Sequence, residues 1–250
     1  MNQYLRNLNK IEFVVTDMCT GRCKHCSQGD HHRCNDKIDP KFAADAVRKI
    51  AREYDIKTVM TFGGEPLLHT DAVYSIIGAA KEENIGHRQL ITNGYFFKDG
   101  DVIRRVAREL YACGVNDLLL SVDAFHQETI PLDVVKIFAT EALRCGIPVR
   151  LSPAWLVSKT DDNSYNAKTR EILQSFAHLD VTVGEGNVIF PEGNAIRHLG
   201  EYFSNSVPIN PYIEDPCDVR CISFAANGDV FDGNIYRKDV MEIINDYRAK

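Results

Sequence analysis

The sequence lacks the features of several large protein classes. No apolar run approaches the length needed to cross a bilayer, so we expect no membrane partner. Its first residues, MNQYLRNLNK, contain no apolar segment of a secretion signal. Basic residues do not predominate, because 29 lysines and arginines stand against 35 acidic residues and the net charge is -6. We therefore expect a cytoplasmic protein, and no nucleic-acid partner held through phosphate contacts.

Cysteine, in contrast, is plentiful, with 8 in 250 residues. Because disulfides are rare in the cytosol, these cysteines need another explanation, such as metal ligation, catalysis or core packing. The 44% hydrophobic and 26% charged composition is typical of a globular chain, and the length suits one or two domains with a sizeable core.

Apolar, β-branched runs recur along the chain and alternate with helical patterns. From the second run onward the spacing is about 30 residues, the length of one βα unit. The runs read as strands of a parallel sheet buried on both faces, and six βα units fit an open barrel or a doubly wound sheet. In either architecture we expect the functional residues on loops at the carboxyl ends of the strands. The runs begin near Ile11, Lys57, His87, Asn116, Pro148 and Asp180.

The periodicity stops near residue 190, which suggests two parts, a barrel over 1–190 and a short extension over 191–250. A stretch rich in Pro, Gly and Asn leads into the extension. There, residues 222–224 and 230–231 flank an Asn-Gly-Asp turn and predict a hairpin, followed by a helix over about 238–247.

A cluster of three cysteines follows the first predicted strand. Cys19, Cys23 and Cys26 form a C-x3-C-x2-C triplet, and thiolates so close together can surround only one small centre. A structural zinc site and an ordinary [4Fe–4S] cluster both take four protein ligands, whereas three leave one position open for an external ligand. A zinc site remains an alternative, completed by one of the nearby residues His25, His31, His32 or Cys34.

A second motif ends the second predicted strand, where Gly63-Gly64-Glu65-Pro66 follows Thr-Phe. Glycines at a strand end let another molecule approach the backbone closely. Because the carboxyl ends of parallel strands share one edge, we expect this motif beside the cysteine triplet.

The triplet, the Gly-Gly-Glu-Pro motif and the order of βα units resemble the radical S-adenosylmethionine (radical SAM) superfamily over about residues 10–190. The resemblance implies an α/β fold with a partial (β/α)6 TIM-like barrel. It also implies that the triplet holds a [4Fe–4S] cluster, whose open iron is chelated by S-adenosylmethionine (SAM). Residues 63–66 would then bind the methionine amino group, and His25 would lie near the adenine. It further implies an electron donor such as flavodoxin or ferredoxin, and a 5′-deoxyadenosyl radical that abstracts hydrogen from a substrate.

The resemblance also implies SAM-binding positions on later strands. Ser121 and Asp123 end the fourth predicted strand, where relatives commonly bind the ribose with a serine. Arg150 and Ser152 lie on the fifth, where relatives use a polar or cationic residue on the SAM carboxylate or ribose. These short motifs also occur at the ends of ordinary strands.

The remaining cysteines divide by position. Cys113 and Cys145 fall on apolar helix faces and are expected in the core. Cys34 lies in a polar loop and is a candidate hydrogen-atom donor, a ligand of another group, or an incidental thiol. Cys217 and Cys221 resemble the start of a SPASM or twitch extension, where relatives hold auxiliary clusters, but the further cysteine after Gly-Asp-Val is absent. We expect a reduced extension, with Cys217 and Cys221 as candidate auxiliary ligands only.

Three functions follow. The first is peptide modification by radical SAM chemistry, such as epimerisation or crosslinking, suggested by the TFGGEPLL motif together with the SPASM-like extension. The second is the same chemistry on a small metabolite in cofactor, nucleoside or antibiotic biosynthesis. The third is a zinc- or cluster-binding protein without catalysis. The substrate and the reaction performed on it depend on side chains that carry no transferable motif.

Overall fold

The structure is a computed structural model and describes residues 2–30, 36–203 and 210–249. The strands are β1 Lys10–Val14, β2 Thr58–Phe62, β3 His87–Thr92, β4 Asp117–Ser121, β5 Val149–Ser152, β6 Ala154–Trp155, β7 Thr182–Val183, β8 Asn187–Val188, β9 Cys221–Phe224, β10 Asp229–Val230 and β11 Gly233–Asn234. The α-helices are α1 Pro40–Glu53, α2 Thr70–Glu82, α3 Gly100–Cys113, α4 Ala124–Gln127, α5 Leu132–Arg144, α6 Ser164–Gln174, α7 Asn194–Leu199 and α8 Val240–Asp246. Short 3-10 turns cover Gln3–Leu5, Pro66–His69 and Gly200–Tyr202.

One parallel sheet organises the molecule. Its seven strands lie in the order β7-β5-β4-β3-β2-β1-β9. The two edge strands, β7 and β9, do not pair with each other in the part of the chain that the structure describes, so the barrel is unclosed. The prediction of an α/β fold with a partial TIM-like barrel is confirmed, and the six strands predicted from the repeat all form.

The helices cover one face of this sheet, and buried and partly exposed residues alternate along its strands. Phe13, Val59, Leu90, Leu118 and Leu151 are fully buried against the helices in the main apolar core. Local signals fix the helix ends: Asp39 caps α1 by accepting the backbone N–H groups of residues 41 and 42. Gly114 ends α3 in the left-handed conformation that glycine adopts without strain.

The extended segment predicted over residues 222–224 forms as β9, but its place in the main sheet was not predicted. Residues 221–224 pair in parallel with β1 instead of folding back as the first arm of a hairpin, and the antiparallel pair forms later, between β10 and β11. The rings of Phe13 and Phe224 stack with their centroids 4.6 Å apart, and both side chains are fully buried. The buried face of this short segment therefore finds its partner in β1, a contact between distant parts of the sequence that local patterning does not reveal.

The predicted closing helix forms as α8, and residues near the amino terminus bind it. Asn2 donates from its side chain to the carbonyls of Ile244 and Tyr247, at 2.8 Å in each case. Cys113 and Cys145 are partly buried and pack against the main core, as expected. Within the described ranges, no helix combines the length and the apolar character that crossing a membrane requires.

Candidate active site

The cysteine loop, which we define as residues 17–30, leaves the carboxyl end of β1. Its start is fixed to β2, because the N–H of Val15 donates to the carbonyl of Phe62 at 2.8 Å. The returning chain is fixed to the same point: Thr16 bridges to Lys37, and the N–H of Ile38 donates to the carbonyl of Val15 at 2.9 Å. Neighbouring backbone thus clamps both ends of the segment that carries the triplet.

Two glycines let the cysteine loop lie directly on the end of β2. A Cβ atom on Gly64 would stand 2.1 Å from the carbonyl oxygen of Met18, and one on Gly63 would stand 2.6 Å from that of Thr16. Gly63 also has φ +134, a conformation that other residues rarely adopt. The N–H groups of Gly64 and Glu65 donate to the carbonyls of Thr16 and Met18 at 2.8 and 2.7 Å. The close approach expected at these glycines is therefore made, in this structure, by the chain's own loop.

Glu65 links the end of β2 to the end of β3 and is fully buried. Its Oε1 accepts the N–H of Leu67 at 3.0 Å and the hydroxyl of Thr92 at 2.7 Å, and its Oε2 accepts the N–H of Asn93 at 2.9 Å. Burial raises the pKa of Glu65 to about 7, although the three donors oppose this shift. The carboxyl group therefore binds protein donors, and Pro66 begins the 3-10 turn that follows it.

Asn93 continues this connection to the first cysteine. Its Nδ2 lies 3.6 Å from the Sγ of Cys19, and the N–H of Gly21 donates to the same sulfur at 3.3 Å. Burial raises the pKa of the Cys19 thiol to about 12, and it also raises the pKa of Cys23. Cys19 and Cys26 both act electrostatically on the Cys23 thiol, and Cys26 also acts on that of Cys19, so the three lie close together. Buried thiolates need a compensating positive charge, which an iron–sulfur cluster supplies, and N–H donors to sulfur suit such a cluster. The residues present therefore fit the group that the triplet suggests.

The extension supports the cysteine loop from its other side. The N–H of Asn194 donates to the carbonyl of Cys26 at 2.8 Å, and its Nδ2 donates to that of Cys23 at 3.4 Å. Gly193, at φ +54, lies so close that a Cβ atom would stand 2.4 Å from the carbonyl oxygen of Ser27. Sequence reasoning missed this contact, and the Gly-Asn pair at the start of α7 is its local sign.

Asp123 has a structural role that sequence reasoning did not assign. It is fully buried, and its Oδ1 caps α4 by accepting the N–H groups of Phe125 and His126 at 2.9 and 3.0 Å. Its Oδ2 lies 2.7 Å from His126 Nδ1 and accepts the N–H of Ala154 at 3.0 Å. Burial opposes ionisation, but His126 outweighs it, and the pKa of Asp123 lies below its usual range. These contacts give Asp123 a role in holding α4 and His126, and its role toward SAM stays a prediction.

His25, in the cysteine loop, lies against His126 of α4. Sequence reasoning did not predict a role for His126. The ring centroids of the two histidines are 4.7 Å apart, and the ring of Phe125 lies 5.0 Å from that of His25. Burial lowers the pKa of His25 to about 4, so its imidazole is neutral. Its Nδ1 is buried and has no hydrogen-bond partner within the described part of the chain.

The remaining predicted site residues lie in different parts of the structure. Ser121 and Ser152 are partners in register at the carboxyl ends of β4 and β5, on the same edge as the cysteine loop. Arg150 instead forms an ion pair with Asp117, the first residue of β4, so its guanidinium is directed away from that edge. An arginine on a strand needs a partner, and Asp117 satisfies that need within the protein. Cys34, His31 and His32 lie outside the described residues.

Cys217 and Cys221 lie far from the triplet along the sheet. Cys221 is the first residue of β9 and pairs in register with Lys10, the first residue of β1. It therefore lies at the amino edge of the sheet, whereas the triplet lies at the carboxyl edge. The seven cysteines that the structure describes form no disulfide.

Comparison with known protein families shows the family to which the chain belongs. Residues 13–144 match the model of the radical SAM superfamily, which is more than half of the chain. This chain belongs to the radical SAM superfamily. It is therefore an enzyme whose cofactors are a [4Fe–4S] cluster and SAM, and a purely binding role without catalysis is set aside.

Individual proteins resemble the chain at moderate sequence identity. A probable GTP 3′,8-cyclase from Saccharolobus islandicus is 28% identical over 222 residues, covering 81% of this chain and 67% of the relative. Another, from Methanocaldococcus jannaschii, is 27% identical over 127 residues, covering 51% of this chain and 40% of that protein.

Solved radical SAM structures share the fold. Streptococcus suis SuiB bound to S-adenosylmethionine superposes with a TM-score of 0.61 at 13% identity, covering 99% of this chain and 68% of SuiB. A structure of anSMEcpe with bound AdoMet gives a TM-score of 0.59 at 13% identity, covering 93% of this chain and 76% of that one. At these identities the likeness establishes the fold alone.

Proposed function

We propose that Cys19, Cys23 and Cys26 hold the cluster, and that SAM binds at the adjoining carboxyl edge of the sheet. The observation that supports this most strongly is the bracing of the cysteine loop at three separate places: by the glycines after β2, by the Glu65–Asn93 link after β3, and by Asn194 at the start of α7. When bound, the cluster and SAM supply an electron and a 5′-deoxyadenosyl radical that abstracts hydrogen from the substrate. A flavodoxin or ferredoxin would deliver the electron.

The chain's own residues would then position and shield these groups. Residues 63–66 would offer backbone carbonyl groups to the methionine amino group of SAM, because the N–H groups of Gly64 and Glu65 already bind the cysteine loop. Ser121 and Ser152 would offer hydroxyls at the same edge. His25, neutral and packed on Phe125, offers an aromatic surface to the adenine. Glu65 and Asp123 act as positioning residues, because their carboxylates hold Asn93 and His126.

We further propose that the substrate lies against the sheet face turned away from the helices. Polar side chains alternate there with the buried apolar ones, and several are already paired. The Nζ of Lys10 lies 2.9 Å from the Oε2 of Glu12. The Oδ2 of Asp117 forms an ion pair with the guanidinium of Arg150 and accepts a hydrogen bond from the Nε2 of Gln89 at 2.7 Å. The two cations of this set are matched by two carboxylates, so the part of this face toward the amino edge of the sheet carries little net charge.

This balance favours a peptide over a nucleoside triphosphate. A triphosphate needs a concentration of unpaired cations, whereas a peptide segment presents mainly neutral donors and acceptors. The solved structure of SuiB bound to its precursor peptide SuiA, with a TM-score of 0.60 at 14% identity, provides an example of this fold with a peptide. We therefore propose peptide modification, such as epimerisation or crosslinking, as the reaction.

A small metabolite is the second candidate. It is favoured by the 28% identity to probable GTP 3′,8-cyclases over 81% of the chain. That similarity extends through most of the sheet, including the strands whose inner face would contact substrate.

For the division of the chain, we propose a radical SAM barrel over residues 1–190 and an extension over 191–250. The extension would form part of the barrel wall through β9 and support the cysteine loop through Asn194. We propose that Cys217 and Cys221 hold no cluster of their own, because two thiolates do not complete a four-cysteine site.

The chemistry is tested with anaerobically reconstituted protein, dithionite and SAM. We expect 5′-deoxyadenosine from the parent chain and from Cys113→Ala, whose thiol packs against the core, but none from Cys23→Ala. A reconstituted parent chain that carries iron and sulfide but does not cleave SAM would contradict the proposal.

The substrate class is tested by label transfer. Deuterated peptides encoded beside the gene, and GTP deuterated on its ribose, are each incubated with enzyme and SAM, and deuterium in 5′-deoxyadenosine is measured by mass spectrometry. Transfer from peptide supports the first candidate. Transfer from GTP alone would replace it with the second.

A further inference from the structure

Three potential metal ligands meet where the cysteine loop contacts α4, and only one of them, Cys23, belongs to the triplet. The thiol of Cys23 and one ring nitrogen from each of His25 and His126 lie within 4.8 Å of one another. A tetrahedral zinc ion with one thiolate and two imidazoles holds such atoms about 3.3 to 3.6 Å apart. Small side-chain rotations would therefore bring these three into coordination.

His126 is already oriented as a metal-binding histidine. Its Nδ1 lies 2.7 Å from the carboxylate of Asp123, and its backbone N–H donates to the same residue at 3.0 Å. A carboxylate on one ring nitrogen fixes the tautomer and leaves the other nitrogen to ligate, as is usual in zinc sites. Asp123 is fully buried and held by Ala154 as well, so the imidazole has little freedom.

His25 supplies the second observation that points to a ligand. Its Nδ1 is buried and lacks a hydrogen-bond partner in the described part of the chain, a costly state for a polar atom. Its ring lies 4.7 Å from that of His126, and Cys23 is 8% exposed. A cation bound between these residues would compensate the buried Cys23 thiolate.

We propose that, in the chain that lacks its cluster, Cys23, His25 and His126 bind one Zn²⁺ ion, with water at the fourth position. One thiolate with two imidazoles is a ligand set that zinc favours. Binding releases the thiol proton of Cys23 to solvent, and no electron is transferred. Because the ion and the proposed cluster both need Cys23, the two are mutually exclusive, and zinc keeps the chain inactive until it is removed. This inference shares Cys23 with the proposed function but does not depend on SAM cleavage.

The test measures zinc binding by the full-length, cluster-free protein under anaerobic conditions, in competition with a chromophoric chelator. We expect one zinc ion per chain, and a loss of affinity of at least about tenfold in His126→Ala and in His25→Ala. Asp123→Asn weakens zinc by about tenfold through the orientation of His126. Cobalt in place of zinc should give a thiolate-to-metal charge-transfer band that Cys23→Ala removes.

Two control variants separate this site from the triplet and from general histidine effects. His178→Ala removes an exposed histidine and should retain the parent affinity. Cys19→Ala should also retain it, although it abolishes cluster assembly. Circular dichroism shows whether each variant is folded, and a folded His25→Ala keeps the test decisive where His126→Ala is not folded.

Three results would overturn the inference. One is an affinity that depends on Cys19 and Cys26 as strongly as on His126, which would locate zinc in the triplet. Another is an affinity that none of the variants changes. The third is a zinc-loaded chain that assembles its cluster without releasing zinc. None of these results bears on whether the cluster-loaded enzyme cleaves SAM.

Discussion

The cysteine loop and the extension both carry closely spaced cysteines, but the protein holds them in opposite ways. Around the triplet, buried groups from β2, β3 and α7 fix the backbone, and a side-chain amide reaches the sulfur of Cys19. Around the extension pair, Cys217 is exposed and Cys221 begins an edge strand at the other end of the sheet. The spacing of cysteines alone therefore does not make a metal site, since the surrounding structure must hold the ligands in place.

Removing the triplet should have the largest effect. The variant with alanine at 19, 23 and 26 should lose all cluster iron after anaerobic reconstitution, because no other described group of thiols is arranged to hold a cluster. The matched variant with alanine at 217 and 221 should keep the parent iron content. Iron and sulfide analysis with visible absorption measures both. Clear residual cluster iron in the first variant, lost when 217 and 221 are also replaced, would make the two regions equivalent.

Phe224→Ala tests the contribution of the extension to the sheet. The side chain is fully buried and stacks on Phe13 at 4.6 Å, so we expect the free energy of unfolding to fall by about 3 to 5 kcal/mol. Phe97→Ala, at a side chain that is 53% exposed, should change it by less than about 0.5 kcal/mol. Urea unfolding of the cluster-free protein provides the comparison. Equal, small effects would mean that the extension contributes little to the core.

Gly64→Ala tests the close contact beneath the cysteine loop. The added methyl group would meet the carbonyl oxygen of Met18 at 2.1 Å, and backbone must move to accommodate it. We expect a loss of about 3 kcal/mol in unfolding free energy and reduced cluster loading. Gly78→Ala, in α2 with no atom within 4 Å of the new methyl, should instead stabilise by about 0.5 to 1 kcal/mol. If both variants load the cluster equally well, the approach of the loop to β2 does not govern cluster binding.

Glu65→Gln should have the smallest effect of this series. A protonated Glu65 can donate to the hydroxyl of Thr92 and still accept both backbone N–H groups, whereas the amide of glutamine must turn its NH2 toward one of them. The unpaired donor should lower the free energy of unfolding by about 1 to 3 kcal/mol.

The same residue gives a pH dependence. Burial raises the pKa of folded Glu65 from 4.5 to about 7, so the folded chain binds the proton more tightly than the unfolded chain. The contribution of Glu65 to the free energy of unfolding is therefore complete below the pKa that this residue has in the unfolded chain. It declines as the pH rises to about 7. Unfolding of cluster-free protein from pH 4.5 to 8 should show this decline, and Glu65→Gln should remove it. An identical pH profile in both proteins would contradict the assignment.

Much of the candidate site could be predicted because its signals are local. The triplet and the Gly-Gly-Glu-Pro motif are each confined to a few consecutive residues. Because parallel strands end at one edge of a sheet, the two motifs could be expected side by side. The contributions of Asn93, His126 and Asn194 could not be foreseen, because each depends on which side chains meet across strands or distant loops. The ion pair of Arg150 could not be foreseen either, since its partner Asp117 lies 33 positions earlier in the chain.

The sequence by itself determined the six βα units, the location of the site at the carboxyl edge, and the radical SAM character of the chain. Periodic burial and short motifs act over a few residues, so they can be read from one stretch of chain. Only the tertiary structure decided that residues 221–224 join β1, that Glu65 and Asp123 bind protein donors, and that His126 comes to lie beside His25 and Cys23. These outcomes depend on pairing between distant segments, where the burial of the whole sheet selects one partner among many.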